Sequence, residues 1–223
     1  RDALSDLRYV SFGLDPKNDV HPEHLSDDFR SFDVICFGKR YASVQLSVYG
    51  KHNVYNALGA AAAAYVLGVD GADVAEGLLG FTGAGRRMER KGRFNGADVY
   101  DDYAHHPGEL HALIDAVKTM GYQRIVMAFQ PHTYTRTKAL FPDFVAELKR
   151  VDLAVLAEIY AARESNKIGI SSRDLAAEVP GAVYFETLPE VAAYLRGVAK
   201  PGDIILTVGA GDIYKAGELL LQK

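Results

Sequence analysis

The sequence has a single cysteine and no tryptophan, and it contains no long apolar run. With Cys36 alone no disulfide can form within the chain, which favours a reducing compartment, and we expect a cytoplasmic protein. Cys36 lies in the apolar stretch Phe32–Phe37 without an activating neighbour, so a buried core thiol is expected. Because no run reaches about 18 apolar residues, no membrane-spanning helix is predicted.

The sequence also has no excess of positive charge, and its first residues do not resemble a natural N-terminus. The net charge of −4 argues against nucleic acid or an anionic membrane as the main ligand. The first residues, RDALSDLR, contain neither a signal peptide nor a plausible natural start, so we expect a chain that continues from a preceding segment. The 48% hydrophobic content is sufficient for a sizeable core.

The chain reads as two regions, 1–86 and 87–223, separated by the glycine-rich turn Gly83–Arg87. Short apolar or alternating segments predict strands in the first region, and an alanine-rich segment predicts a helix that another element can approach closely. The predicted strands are Tyr9–Leu14, Phe32–Gly38 and Ser43–Val48, and the predicted helices are His52–Leu67 and Ala72–Leu79.

The second region alternates strand and helix, and several of its strands are continuous apolar runs. Such runs are typical of a sheet covered by helices on both faces, so we predict a Rossmann-like, doubly wound α/β domain with a mostly parallel sheet. The predicted strands are Ala97–Tyr100, Arg124–Phe129, Leu153–Ala157, Ala182–Phe185 and Asp203–Val208, and the predicted helices are Pro107–Met120, Ala139–Lys149, Ser172–Glu178, Pro189–Val198 and Ile213–Leu221.

Polar residues collect where four of these strands end, which is the edge at which such sheets bind ligands. The four loops are Asp101–Pro107, Gln130–Arg136, Glu158–Glu164 and Gly209–Asp212. Some of these residues have plain structural uses: His106 and Pro107 suit a helix start, Thr135 suits an N-cap, and the Gly209 loop suits a tight turn as well as an anion site. In the first region Asn53 and Asn56 share a helix face, and an N-cap role would explain only one of them.

The motifs GKHNVYNALGAAAAA, GRRME, DDYAHHP, QPHTYTRT, YAARE and LTVGAGDI, in this order, resemble the Mur ligases. The pair DDYAHHP and QPHTYTRT points to the alanine-adding member. The resemblance implies the end of a central ATPase domain followed by a C-terminal amino-acid-binding domain. It implies ATP and Mg²⁺ as cofactors, UDP-N-acetylmuramate and L-alanine as substrates, an acyl phosphate intermediate, and a place in peptidoglycan synthesis for cell-wall biogenesis, cell shape and division.

The same resemblance implies roles for individual residues. His52, Asn53 and Asn56 match the adenine-contacting helix, Arg87 or its neighbour Arg86 the arginine near the nucleotide phosphates, and Asp102 the aspartate that holds the ribose hydroxyls. Tyr103 and His105 match the pocket for the amino acid and the acyl group. His132 and Arg136 match the loop that binds the α-carboxylate. Catalysis is expected from His105 and Arg136. Met88 stands where an aromatic residue is common, and Thr133 where some members carry arginine.

No phosphate-binding motif G-x-x-x-x-G-K-S/T occurs. The resemblance therefore places the phosphate cradle and the metal ligands upstream, and we expect this chain alone to be inactive. Two alternatives stay open. One is a metal-dependent hydrolase using Asp101, Asp102, His105, His106 and His132. The other is a nucleotide-binding module without catalytic activity.

Overall fold

A computed structural model of the protein describes residues 9–222. The N-terminal segment in which we expected no natural start lies outside the described residues. The chain forms two compact units that divide between Thr82 and Gly83, and each is described by itself. The assignment of residues 1–86 and 87–223 to two family domains stays a prediction.

The first unit contains an antiparallel three-stranded sheet in the order β1-β2-β3, with β1 at Val20–Glu23, β2 at Ser31–Cys36 and β3 at Lys39–Gln45. A tight turn with positive φ at Phe37 (49°) and Gly38 (76°) joins β2 to β3, so β3 begins earlier than predicted. Cys36 is buried as expected, and burial raises the pKa of its thiol.

The predicted strand Tyr9–Leu14 is wrong: Phe12 makes only an isolated bridge to Val20. The carboxylate of Asp19 accepts hydrogen bonds from the Ser11 backbone N–H (2.9 Å) and hydroxyl (2.7 Å), which shapes this segment as a loop. Strand β1 was not predicted because it is only four residues long and contains Pro22, which a strand tolerates at the edge of a sheet.

Two helices complete the first unit, α1 at Lys51–Val66 and α2 at Gly71–Gly80. The N-cap of α1 is Gly50, with φ 99°, and no side chain caps the helix. The N-cap role, which was the plain structural alternative for one of the two asparagines, is therefore filled by neither. Helix α2 has a side-chain cap, because the Asp70 carboxylate accepts a hydrogen bond from the Ala72 N–H at 2.8 Å.

The second unit is built on a six-stranded sheet in the order β4-β5-β9-β6-β7-β8, in which only the β4–β5 pair is antiparallel. The predicted fold class, α/β with a mostly parallel sheet, is confirmed. The strands are β4 Glu89–Phe94, β5 Ala97–Asp102, β6 Arg124–Phe129, β7 Leu153–Ala157, β8 Val183–Phe185 and β9 Asp203–Val208. Strand β4, ERKGRF, was not predicted because it is a polar edge strand without an alternating pattern.

Helices cover both faces of this sheet: α3 Pro107–Lys118, α4 Tyr134–Ala139, α5 Phe141–Leu148, α6 Ser172–Glu178, α7 Leu188–Val198 and α8 Tyr214–Leu221. One apolar core contains residues of α3, α5 and α6, and the other contains residues of α7 and α8. The helix predicted at Ala139–Lys149 corresponds to α5, whereas α4 was not predicted. The two helices are separate because the helical conformation is interrupted at Leu140 (φ −111°) and Pro142 lies in the first turn of α5. Among residues 9–222 no helix combines the length and apolarity that a membrane span requires.

Candidate functional site

The strand order brings four polar loops to one edge of the second unit. Strands β5, β9, β6 and β7 are neighbours in the sheet and run parallel, so their carboxyl ends lie side by side. The loops after them carry the residues that the sequence singled out. We call this edge the carboxyl edge.

The two aspartates of DDYAHHP are the last residues of β5, and both are buried, at 1% and 6% exposure. Asp101 accepts hydrogen bonds from Arg86 Nε (2.8 Å) and from the Thr207 hydroxyl (2.7 Å). Asp102 accepts one backbone N–H on each oxygen, from Met88 and from Ala104, both at 2.8 Å. Burial raises the pKa of Asp102, against the smaller opposing effect of these two N–H groups. Both carboxylates therefore accept hydrogen bonds from neighbouring protein groups, and each Asp102 oxygen keeps one further lone pair for a ligand.

The paired arginines have different surroundings. Arg86 is partly buried and is held by Asp101 and by the carbonyls of Gly209 (2.7 Å) and Gly211 (3.1 Å). Arg87 is exposed, and its guanidinium carbon lies 5.7 Å from the centre of the Tyr103 ring. Of the two arginines that the resemblance offered for the phosphates, Arg87 is the accessible one.

The remainder of DDYAHHP starts α3. His106 is the N-cap, its ring accepts the Gly108 N–H (3.2 Å), and Glu109 accepts the His106 N–H (3.2 Å) in return, with Pro107 in the first turn. The expectation that His106 and Pro107 begin a helix is confirmed. His105 has a different environment: its Nδ1 lies 2.9 Å from the Tyr103 carbonyl oxygen and 3.3 Å from Glu109, at the edge of the Tyr103 ring.

The loop after β6 carries a histidine whose hydrogen-bonding capacity is not filled by the described residues. His132 stacks on Tyr160 (ring centroids 5.7 Å, 21°) and meets the edge of His105 (5.9 Å). Its Nδ1 is buried and has no hydrogen-bond partner within residues 9–222. Burial, and then the positive charge of Arg136, lower the pKa of His132, so the neutral ring is favoured.

Arg136 stands in the same loop, on the short helix α4. Its Nη1 is buried and also has no hydrogen-bond partner in the described chain. The N-cap of α4 is Thr133, with φ 67°, so Thr135 does not have the N-cap role that it would suit. Instead the Thr135 N–H and hydroxyl both donate to Glu164.

Sequence reasoning gave no role to Tyr160 and Glu164, which the structure places against this loop. An isolated parallel bridge joins His132 to Tyr160, and the Thr133 N–H donates to the Tyr160 carbonyl at 2.9 Å. The sequence showed that both loops are polar. Only the pairing of β6 with β7 shows that the loops after these two strands contact each other.

The turn Gly209–Asp212 is packed too tightly to be an open anion site. A Cβ on Gly211 would lie 2.4 Å from Gln130 Oε1 and 2.6 Å from Tyr160 Cγ, so the tyrosine packs directly on the glycine backbone. Both glycine carbonyls accept from Arg86. The turn therefore forms the surface against which the Tyr160 side chain packs.

The other predicted ligand residues lie on α1 of the first unit. The Asn53 amide donates to the Tyr49 carbonyl (2.8 Å), and the Asn56 amide donates to the Asn53 side-chain oxygen (3.0 Å). The two side chains do share a helix face, as predicted. His52 is exposed near the start of the same helix.

Residues 86–211 match the family model of the Mur ligase glutamate ligase domain, which is more than half of the chain. The chain belongs to the Mur ligase family, as its motifs indicated. It is 43% identical over 223 residues to the UDP-N-acetylmuramate–L-alanine ligase of Agathobacter rectalis, a match that covers 97% of this chain and 49% of that protein.

Solved structures agree with this assignment. The UDP-N-acetylmuramate–alanine ligase of Thermotoga maritima is similar with a TM-score of 0.79 and 30% identity, over 95% of this chain and 47% of that one. The murein peptide ligase of Psychrobacter arcticus is similar with a TM-score of 0.65 and 26% identity, over 95% of this chain and 45% of that one. The chain thus spans about half the length of the relatives that it matches.

Proposed function

We propose that this chain is the C-terminal part of an ATP-dependent ligase that joins L-alanine to UDP-N-acetylmuramate in peptidoglycan synthesis, in the cytoplasm. Its particular task is to bind the incoming amino acid at the carboxyl edge. The names of the relatives support the reaction, and the carboxyl edge supports the task.

The observation that carries the proposal is the pair of unsatisfied nitrogens, His132 Nδ1 and Arg136 Nη1. Buried polar groups in proteins nearly always have a partner, and an unpaired one costs about 1–3 kcal/mol, more when it is charged. A guanidinium can only donate, so its missing partner is an acceptor, and a carboxylate suits it best. The α-carboxylate of L-alanine is such an acceptor.

Other residues complete the proposed site. Tyr103 and His105 flank the pocket where the amine meets the activated acyl group, and His105 and Arg136 stabilise the charge that develops there. ATP would supply the activation of the sugar-nucleotide carboxylate. The roles that the resemblance implies are proposed for each unit by itself: in the second unit Arg87 for the phosphates and Asp102 for the ribose, and in the first unit His52, Asn53 and Asn56 for the adenine. The resemblance implies that Mg²⁺ binds mainly to residues outside this chain, because the sequence lacks the phosphate-binding motif whose hydroxyl binds the metal.

Ligand titration of the purified chain, followed by NMR, tests the amino-acid site. L-alanine is expected to shift the His132 ring signals saturably, whereas L-alaninamide, which lacks the carboxylate, leaves them in place. Arg136→Ala is expected to weaken L-alanine binding at least about tenfold, because a hydrogen bond to a charged group contributes about 1.5–3 kcal/mol. Arg90→Ala, which removes an exposed arginine paired with Asp98, is the control. Equal effects of alanine and alaninamide would contradict the proposal.

A phosphate-release assay tests the expectation that this chain alone is inactive. The chain alone is expected to release no phosphate from ATP, whereas a ligase that contains it is expected to release phosphate only with both substrates present. EDTA-sensitive phosphate release by the chain alone would refute this. The hydrolase alternative finds no support in the comparisons, whose relatives are named as ligases, and the Asp101 carboxylate is already engaged by Arg86 and Thr207.

A further inference from the structure

Arg86 is partly buried and makes contacts through both its backbone and its side chain. Its backbone N–H donates to Glu89 (2.9 Å), and its carbonyl accepts the Tyr103 N–H (2.7 Å). Its guanidinium carbon lies over two aromatic rings, 5.0 Å from the centre of Tyr103 and 4.8 Å from that of Tyr214. Together with the bonds to Asp101 and two glycine carbonyls, these contacts hold both the backbone and the side chain of Arg86.

The guanidinium joins segments that are far apart in the chain. Its Nη1 and Nη2 donate to carbonyls of the turn after β9, more than 120 residues away, while Nε donates to Asp101 at the end of β5. A planar group with donors in fixed directions is suited to holding two loops in one relative position. Lysine cannot reproduce this, because its ammonium group is a single point of charge.

Two routes of direct contact lead from Arg86 to His132. In the first, Arg86 stacks on Tyr103, Tyr103 meets the edge of His105 (5.4 Å), and His105 meets His132 (5.9 Å). In the second, Arg86 donates a hydrogen bond to the Gly211 carbonyl, the Tyr160 side chain packs against Gly211, and the Tyr160 ring stacks on His132. The histidine with the unsatisfied Nδ1 is therefore supported from two sides by one distant arginine.

We infer that Arg86 is a positioning residue that aligns His132 for the amino-acid carboxylate through Tyr103 and Tyr160, while its neighbour Arg87 is the arginine available to the nucleotide. This inference deepens the proposed function and rests on it for the identity of the ligand. The positioning itself does not depend on the ligand.

NMR of the purified chain tests the positioning without any ligand. Arg86→Ala is expected to shift the ring signals of His132 and Tyr103, and Arg86→Lys is expected to restore them only in part. Guanidinium chloride, at concentrations well below those that unfold proteins, is expected to move the signals of Arg86→Ala back towards wild type, whereas an equal concentration of potassium chloride is not. A residue needed only for general stability would show no such rescue.

The control is again Arg90→Ala, which removes an exposed arginine of the same unit. Unchanged His132 signals in Arg86→Ala would overturn the inference, and so would an equal shift in Arg90→Ala. If Arg86→Ala does not fold, Arg86→Lys and Asp101→Asn decide the question. Asp101→Asn weakens the hold on Nε while keeping the shape of the side chain, and unchanged His132 signals in both variants would overturn the inference.

L-alanine titration separates this inference from the proposed function. If both are correct, Arg86→Ala weakens L-alanine binding about tenfold, the lower end of the range that losing a supporting partner has at metal sites. If the wild-type chain does not bind L-alanine but Arg86→Ala still moves His132, the proposed function fails and the positioning role stands. If the wild type and Arg86→Ala bind L-alanine equally, the positioning role fails and the proposed function stands.

Discussion

Replacing Gly211 by alanine tests how the carboxyl edge is packed. The added Cβ would lie 2.4 Å from Gln130 Oε1 and 2.6 and 2.8 Å from Tyr160 Cγ and Cβ, closer than real Cβ contacts. Overpacking of this kind costs about 1–3 kcal/mol. Gln130 Oε1 also accepts the buried Ile213 N–H at 3.1 Å, and breaking that bond adds about 1 kcal/mol. We expect a loss of about 3 kcal/mol in the free energy of unfolding.

Urea denaturation measures this loss. Because the chain has two units, unfolding is followed by the NMR amide signals of Phe129 and Val208, which lie in the sheet of the second unit. With a urea m-value of about 2 kcal/mol/M, the midpoint should fall by about 1.5 M. Tyr160 must also move, so the His132 ring signals should shift.

Gly197→Ala provides the matched control. Gly197 is in helix α7, and a Cβ there would have no neighbour within 4 Å. Alanine should therefore raise the free energy of unfolding by about 0.5 kcal/mol through its higher helix propensity. Equal midpoints for the two variants, or an unshifted His132 in Gly211→Ala, would refute the packing argument.

Three further predictions concern strain, charge and pH in the second unit. Thr133→Gly should raise the free energy of unfolding by about 1 kcal/mol, because relief of the strain at φ 67° exceeds the entropic cost of glycine, and a lower urea midpoint would contradict this. Arg124→Ala should cost about 3 kcal/mol, since it leaves the carboxylate of Asp203, 3% exposed, without its ion pair, and a loss no larger than that of Arg90→Ala would show the pair to be unimportant. In an NMR titration the pKa of His132 should lie below its usual value of 6.5, because burial and then Arg136 lower it. The contribution of His132 to the free energy of unfolding is therefore present above pH 6.5 and is lost as the pH falls through the pKa of the folded state. A titration midpoint at or above pH 6.5 would be inconsistent with the site.

Much of the second unit follows from local patterns. The apolar runs VMAF, LAVLA and IILTV predicted buried parallel strands, and the strand Asp203–Val208 and the helix Ser172–Glu178 have the predicted bounds. These elements are predictable because their signals, an apolar run and a capping residue, lie within a few neighbouring positions.

The elements that were missed lack such signals. Strand β4 is polar and gains its pairing from β5, and β1 is short and contains proline. The segment Tyr9–Leu14 has the residues of a strand, but Asp19 competes for the Ser11 backbone. In each case a partner elsewhere in the chain decided the outcome.

The sequence by itself determined the family, the alternation of strands and helices, and the set of polar residues at the carboxyl edge, because motif order and hydrophobic periodicity are properties of the chain as written. Only the tertiary structure decided how those residues are used. It showed that Asp101 and Arg86 bind each other within the second unit, that Tyr160 stacks on His132, and that buried nitrogens of His132 and Arg136 have no partner within the described residues. The physical reason is that hydrogen bonds and ring contacts depend on distances in space, and the order of strands β5, β9, β6 and β7 sets those distances.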